Sequence, residues 1–345
     1  MKSYSIVIPH FNGKEIISRC IKSIEESSKK SNEIIVVDNA STDDSISYVE
    51  QKFPNVTIIK SSKNLGYAGG CNLGAKKAKN EYLIFLNNDT VVENGWDEML
   101  ILGFDNNRVS SVQPKIKNLL KKSHFDYAGA SGGFIDVFCY PFCRGRIFNT
   151  IERDKGQYDL RTNIFWASGA GFATKKDIFL KAGMFDTKLF AHMEEIDYHW
   201  RCQMMGYKII ACPDSVIFHE GGATLSYKSY KKTYLNHRNS IILFLTNHNL
   251  RTCLYLIFPR LLLQLGSIIR DFVMIKPGHA IAQIAALISL FFNIPYLINK
   301  RKKNKLIKSS NTNLHGIYNR SIVIDYFILN NKNFYQLNNL DKRID

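Results

Sequence analysis

Short apolar runs alternating with helical periodicities organise the first ninety residues. Ser5–Pro9, Glu33–Asp38, Val56–Lys60 and Glu81–Leu86 are runs of strand length. Between the first two, apolar residues at 16, 17, 20, 21 and 24 share one face of a helix over Lys14–Ser28. A second helix is expected from Ser41-Thr42-Asp43-Asp44 to Phe53, where Pro54 stops it, and a third over Tyr67–Lys79. Strands that are apolar on both faces are covered on both faces. Their alternation with helices predicts an α/β fold with a mostly parallel sheet, flanking helices and right-handed crossovers.

The pattern then becomes less regular. Glu93–Phe104 reads as a helix and Val109–Gln113 as a strand, and residues 121–160, rich in glycine and aromatics, as an irregular insertion able to form hairpins. Phe165–Thr174 reads as one strand carrying Ser168-Gly169-Ala170-Gly171, followed by helices over Lys176–Ala182 and Ile196–Met205. Lys208–Ala211 and Ser215–His219 read as two short strands. From about Leu225 a basic aromatic stretch leads into the apolar runs Ser240–Leu245, Cys253–Phe258 and Leu261–Ile269, then Ala280–Ile298, then Lys300-Arg301-Lys302-Lys303-Asn304-Lys305. This divides the chain into 1–224, a helical region 225–308 and a polar, loosely attached tail 309–345.

Charge sharpens that division. The net charge is +16 over 345 residues. Residues 1–224 hold 28 Lys/Arg against 26 Asp/Glu, whereas residues 225–345 hold 18 against 4. A basic region faces nucleic acid or an anionic membrane surface, and the apolar runs within it favour the membrane. Ala280–Ile298 has nearly the length of a membrane span, but Gln283, Asn293 and Pro295 interrupt it. A helix in the interface is the favoured arrangement, with a spanning helix and a buried core helix left open. The opening residues read as a first core strand, not a secretory leader. Seven irregularly spaced cysteines argue against a disulfide framework.

The candidate chemistry follows the apolar runs. Asp38, Asn87-Asn88-Asp89 and Glu194-Glu195-Ile196-Asp197 each come just after one. Open α/β sheets bind ligands outside the carboxyl ends of their strands. Carboxylates gathered there repel one another unless a divalent cation and a phosphorylated ligand enter between them. Asp38 is placed to meet a nucleobase or ribose, while Asp43 and Asp44 read equally as helix caps. Asp89 can hold Mg2+ or Mn2+, with an Asx-turn as its plainer alternative. One of Glu194 and Glu195 is free to act as a general base, its pKa raised by the adjacent charge. Asp197 and Arg201, four residues apart, can form a structural ion pair. His219, at the end of another strand, suits either a structural role or contact with metal or phosphate. Asn64-Leu65-Gly66-Tyr67-Ala68-Gly69-Gly70 permits close backbone approach to a ligand, but it lacks the G-x-G-x-x-G spacing of a dinucleotide fingerprint.

Seven segments in this order carry a resemblance. They are Ser5–Asn12, Val36–Asp43, Asn64–Asn72, Phe85–Thr90, Trp166–Ala170, Gly183–Asp186 and Glu194–Arg201. Together they resemble inverting family 2 glycosyltransferases with the GT-A fold, and most closely the rhamnosyltransferase-like branch, over about residues 4–224. The resemblance implies transfer of a sugar from a dTDP-, UDP- or GDP-linked donor to a glycan or lipid-linked glycan acceptor in cell-surface polysaccharide synthesis. It also implies a site at the cytoplasmic face of the cell membrane and a peripheral or monotopic attachment. By this resemblance Glu195 is the catalytic base, with Glu194 as fallback, and Asp89 and His219 hold Mg2+ or Mn2+. Pro9, Asn12, Asp38, Asn64, Gly66 and Asn88 contact the nucleotide, and Trp166, Ser168, Gly169 and Asp197 the acceptor. Asn87 replaces the first acid of the family's Asp-x-Asp metal motif.

Three other readings compete. A sugar-nucleotide pyrophosphorylase needs a Gly-rich basic loop after its first strand, which Pro9-His10-Phe11-Asn12 is not. A nicotinamide dehydrogenase lacks its fingerprint. A non-catalytic membrane-bound scaffold remains open, whereas a nucleic-acid partner is disfavoured because crevice carboxylates repel a polyanion.

Overall fold

A computed structural model describes residues 2–27, 33–221, 229–309, 314–337 and 340. Its first half is the expected alternation: β1 (Tyr4–His10), α1 (Lys14–Ser27), β2 (Glu33–Asp38), α2 (Ser45–Lys52), β3 (Thr57–Lys60), α3 (Gly66–Lys77) and β4 (Tyr82–Leu86). After β5 (Thr90–Val92), α4 (Trp96–Leu102) and β6 (Val109–Asn118) come four short strands, β7 (Gly133–Asp136), β8 (Pro141–Cys143), β9 (Arg146–Ile147) and β10 (Thr150–Ile151). Then follow β11 (Thr162–Ile164), β12 (Gly171–Lys175), α5 (Lys176–Lys181), α6 (Glu194–Met204) and β13 (Lys208–His219). The C-terminal part holds α7 (Tyr230–Asn247), α8 (Leu250–Val273), α9 (Pro277–Phe291), α10 (Ile294–Leu306), β14 (Ile317–Tyr318) and α11 (Ile322–Phe327).

The main sheet runs β11-β13-β6-β12-β4-β1-β2-β3, with β5 on β13. Strands β4, β1, β2 and β3 are parallel, and β12 lies antiparallel between β4 and β6. Every residue of β1 and β4 is buried, as two-sided helical cover requires. On one face α3 packs so closely that a Cβ at Gly74 would lie 2.3 Å from Val7 Cγ1. The carboxyl ends of β1, β2 and β4 therefore open on the same edge, where Pro9, Asn39 and Asp89 stand.

Four readings need correction. Residues 165–170 form a loop, and only Gly171–Lys175 is strand. Gln113 Oε1 accepts from Ser168 N (2.8 Å) and His199 Nδ1 from Ala167 N (3.3 Å), so long-range side chains replace the ladder. The two short strands near 208–219 are one strand, β13, broken in register between Cys212 and Val216 around Pro213. The Ala280–Ile298 run is two helices, α9 and α10, bent by 73° near Asn293 and Pro295, because proline cannot continue a helix. The tail is not loosely attached: β14 pairs with β7, and Phe334 packs on Phe134 at 4.9 Å between ring centroids. Phe334 shares one apolar cluster with Phe85 of β4 and Phe244 of α7. The expected boundary at 224/225 lies outside the described residues.

Helix α8 is inside out. Its buried residues are Cys253, Arg260, Gln264, Ile268 and Asp271. Its exposed face carries Leu254, Tyr255, Phe258, Leu261, Leu262, Leu265, Ile269 and Phe272. It is long and apolar enough to cross a membrane. The basic run is split as well: Lys300 and Asn304 are buried against the protein, while Lys302, Lys303 and Lys305 are exposed.

Candidate active site

A cavity of about 1080 Å³ opens at the carboxyl edge of the sheet and extends to α7, α8 and α11. Of the residues expected from sequence, it is lined by Pro9, Asn64, Gly66, Asn88, Asp89, Trp166, Ser168, Gly169, Glu194, Glu195 and His219. These lie up to 210 positions apart along the chain, and the parallel sheet brings them to one edge.

Asp89 and His219 meet because β5, which follows Asp89, pairs with the end of β13. His219 Nε2 lies 3.1 Å from Asp89 Oδ1, and its Nδ1 lies 2.9 Å from Asp126 Oδ1. Burial alone would lower the His219 pKa, but the two carboxylates outweigh it and raise it to about 10. Asp89 is buried too, but His219 and hydrogen bonding hold its carboxyl below the usual range. Asp89 Oδ1 has no well-aligned hydrogen bond. A carboxylate oxygen and an imidazole nitrogen converge on the cavity, with the imidazole braced by a second carboxylate, and a cation bound there would displace the Nε2 proton that the two carboxylates otherwise hold. This donor set fits a divalent cation that takes two protein ligands and draws the rest from phosphate and water. Among the described residues no group of three or more acidic, His or Cys side chains forms a complete cage.

Glu195 stands at the N-terminus of α6. Burial raises its carboxyl to about 7, while the nearby backbone amides of Glu195, Gly169, Ile196 and Met193 pull the other way; its Oε2 is buried with no hydrogen-bond partner. Glu194, 3% exposed, is driven well above the carboxylate range by burial and then by the charge of Glu195. Of the two, Glu194 is held neutral the more strongly, which leaves Glu195 the better placed to ionise and take a proton.

The turn before α6 is strained. Phe190, His192 and Met193 all have positive φ, of 66°, 67° and 73°, a costly region for residues with a Cβ. Asn239 of α7 holds it, donating from Nδ2 to Leu189 O (3.0 Å), Ala191 O (3.1 Å) and His192 O (2.7 Å). Arg238 adds bonds to Lys188 O and Leu189 O. Gly66 closes the other side: with φ +70°, a Cβ there would meet Phe190 O at 2.4 Å. Tyr67 Oη donates to Gly169 O at 2.7 Å, tying the α3 entry to the loop beside Glu195.

Three expected residues stand elsewhere. Asp197 was expected at the acceptor but is fully buried, bonded to Arg201 Nε (3.0 Å), Lys300 Nζ (2.9 Å) and Asn247 Nδ2 (3.1 Å). The structural ion pair is the correct reading, because three donors saturate the carboxylate. Asn12 does not line the cavity: its Oδ1 accepts from Thr42 N (2.8 Å) and its N donates to Ser41 Oγ (3.1 Å), stapling two loops. Asp38 holds the same turn through Ser41 N (2.8 Å), while Asn39 beside it lines the cavity. Residues missed from sequence include His10, Tyr67, Arg146, Lys232 and Asn239. His10 is buried between Ser45 Oγ and Asn88 Nδ2, both at 2.9 Å. Of these, only His10, after a strand, and Asn239, after a basic aromatic run, carried a local signal.

Comparison with known proteins agrees with this geometry. The sequence matches the family described as Glycosyl transferase family 2 over residues 5–181, more than half of the chain. It is 38% identical over 94 residues to a poly(ribitol-phosphate) beta-glucosyltransferase of Bacillus spizizenii, covering 26% of this chain and 15% of that protein. It is 21% identical over 248 residues to the N-acetylglucosaminyl-diphospho-decaprenol L-rhamnosyltransferase of Mycobacterium tuberculosis, covering 68% and 81%. The chain thus spans a small part of the first relative and most of the second. Among solved structures, GalNAc-T7 with UDP, GalNAc and Mn2+ superposes with a TM-score of 0.56 at 17% identity, over 71% of this chain and 48% of that one. The mannosyltransferase PcManGT from Pyrobaculum calidifontis, with GDP-Man and Mn2+, gives 0.52 at 15%, over 88% and 84%. The fold is GT-A, and the chain belongs to glycosyl transferase family 2.

Proposed function

We propose that the chain transfers a sugar, with inversion, from a nucleoside-diphosphate donor to a hydroxyl of a lipid-linked glycan in cell-surface polysaccharide synthesis. The observation that carries this is that Glu195 and the Asp89–His219 pair line one cavity. Pro9, His10, Asn39 and Asn64 enclose the nucleoside, and Asp38 shapes that end through the turn it holds. Asp89 and His219 would hold Mg2+ or Mn2+, which supplies positive charge to the departing diphosphate. Glu195 takes the proton from the acceptor hydroxyl as the oxygen attacks the anomeric carbon opposite the nucleotide. The amides around Glu195 favour its ionised form. Trp166, Ser168 and Gly169 face the acceptor. A dTDP-rhamnose donor is the reading favoured by the mycobacterial relative, with UDP- and GDP-sugars as the alternatives.

A panel of dTDP-, UDP- and GDP-sugars with Mn2+ tests this. One donor is expected to raise Tm and to release its nucleotide slowly, because ligands that bind only the native state stabilise it. Asp89→Ala is expected to abolish the metal-dependent part of that shift. A panel in which no donor shifts Tm or is hydrolysed would overturn the reading.

The exposed apolar face of α8, with Lys302, Lys303 and Lys305, supports attachment to the cytoplasmic leaflet. Each large apolar side chain moved from water to hydrocarbon contributes about 1.5–3 kcal/mol when fully buried. Leu254→Glu, Phe258→Glu and Leu265→Glu combined should release the chain from anionic vesicles in a flotation assay and leave donor hydrolysis unchanged. Retention on the vesicles by the triple variant would refute the attachment.

A further inference from the structure

The cavity has a second end that donor binding does not use. Arg146, stacked on Tyr127 at 4.4 Å beside the Asp126–His219 pair, belongs to the donor end. Arg260 of α8 lines the cavity among the C-terminal helices and is 1% exposed. Its Nη1 donates to Tyr140 Oη (2.6 Å) and Gln264 Oε1 (3.3 Å), and its Nη2 to Ser240 Oγ (3.2 Å). All three partners are neutral. Its Nε is buried with no partner, and among the described residues it forms no ion pair. A guanidinium is always protonated, and no carboxylate is bonded to this one: the buried Asp136 acts on it only through space, its oxygens accepting from Phe138 N, Tyr140 N and Ile322 N. The unpartnered Nε leaves this guanidinium a free donor for an anion that enters the cavity. Arg270, half exposed, lines the cavity one helical flank further out, 6.0 Å above the Phe327 ring; its Nε (3.1 Å) and Nη2 (2.7 Å) donate to Asp271 Oδ1, and its remaining donors are open to the cavity.

Beyond the two arginines the lining turns apolar. Leu262, Ile324, Phe327 and Ile328 are 52%, 41%, 49% and 73% exposed and continue into the apolar face of α8. The order from the catalytic base outward is therefore cationic and then hydrocarbon-like, which is complementary to a glycan joined through phosphate to a lipid chain.

We infer that Arg260 and Arg270 seat the phosphate linker of the acceptor, and that its lipid chain leaves between α8 and α11. This rests on the glycan-transfer reading above and names how the acceptor is held. A glycan polymer carrying phosphodiesters shares the phosphate but not the chain, so the test separates them.

The full-length protein in detergent micelles, saturated with Mn2+ and whichever of dTDP, UDP and GDP binds it, is titrated with farnesyl diphosphate, farnesol and inorganic pyrophosphate. Farnesyl diphosphate is expected to bind at least tenfold more tightly than either of the others. Arg260→Met should weaken it at least tenfold and leave nucleotide binding unchanged, with Arg260→Lys between. Ile328→Glu, on the exposed rim and harmless to folding, should weaken farnesyl diphosphate and spare pyrophosphate. Pyrophosphate binding as tightly as farnesyl diphosphate, or unchanged affinity in both Arg260→Met and Ile328→Glu, overturns the inference while leaving the donor reading intact. Failure of dTDP, UDP and GDP alike to bind the parent protein with Mn2+ would instead remove the reading beneath it.

Discussion

Glu195→Gln is expected to reduce sugar transfer by about 10²–10⁴-fold, the range a positioned general base supplies, with nucleotide and Mn2+ binding unchanged. The amide keeps the shape and loses the proton acceptor. Transfer by the parent protein should rise with pH through about 7, because the base works only when ionised and burial raises its carboxyl to that value. The stability consequence has the opposite direction. A carboxyl whose folded pKa lies above its unfolded value of 4.5 favours the folded state fully below pH 4.5 and loses that contribution as pH rises through about 7. Glu195→Gln should therefore raise Tm at pH 8 and much less at pH 5. Equal transfer rates in Glu195→Gln and parent protein, with a flat pH profile, would remove Glu195 from the chemistry, and Glu194→Gln would then be the variant to measure.

Lys300→Met should destabilise the fold by about 3–5 kcal/mol, the cost of breaking a buried ion pair from one side. Lys300 Nζ lies 2.8 Å from Asp186 Oδ2 and 2.9 Å from Asp197 Oδ2, and all three side chains are largely shielded from water. It joins α10 to α6, so the loss should spread to the strained turn and lower transfer as well. Asp197 is fully buried, but Lys300 and then Arg201 outweigh that and depress its carboxyl to about 2. Its contribution is present above its unfolded value near 3.8 and is lost as pH falls from about 4 to about 2. Chemical denaturation at pH 7 and pH 3 measures both effects. The Lys300→Met deficit should shrink at low pH, and a deficit that is small at pH 7 would mean that the pair is not worth its burial.

These expectations show which features are local. Strands β1 to β4 and the helices between them were legible because a two-sided sheet demands continuous apolar runs, and a helix face demands the 16, 17, 20, 21, 24 spacing. Asp89 was legible because it follows such a run, and Glu195 because an acidic pair opens the α6 periodicity, although the apolar stretch before it is a turn and not a strand. The 165–170 loop was not, since its apolar pattern is that of a strand and the side chains that hold it open, among them Tyr67, Gln113, His199 and Gln203, come from other elements. Lys300 read as part of a solvated basic flank, because its two carboxylates are more than a hundred positions away. Asp197 and Arg201 could be paired from their spacing alone, but the third partner that removes Asp197 from the acceptor site could not.

The amino-acid order by itself determined the α/β alternation, the carboxyl-edge acids and the change of character after residue 225, because periodicity and charge act over a few residues. Tertiary structure alone decided that His219 braces Asp89, that Asn239 holds the turn of Glu195, and that α8 turns its polar face inward and leaves Arg260 with no carboxylate bonded to it. These depend on contacts between distant segments, whose burial sets both the pKa of a carboxyl and the need of a cation for an anion.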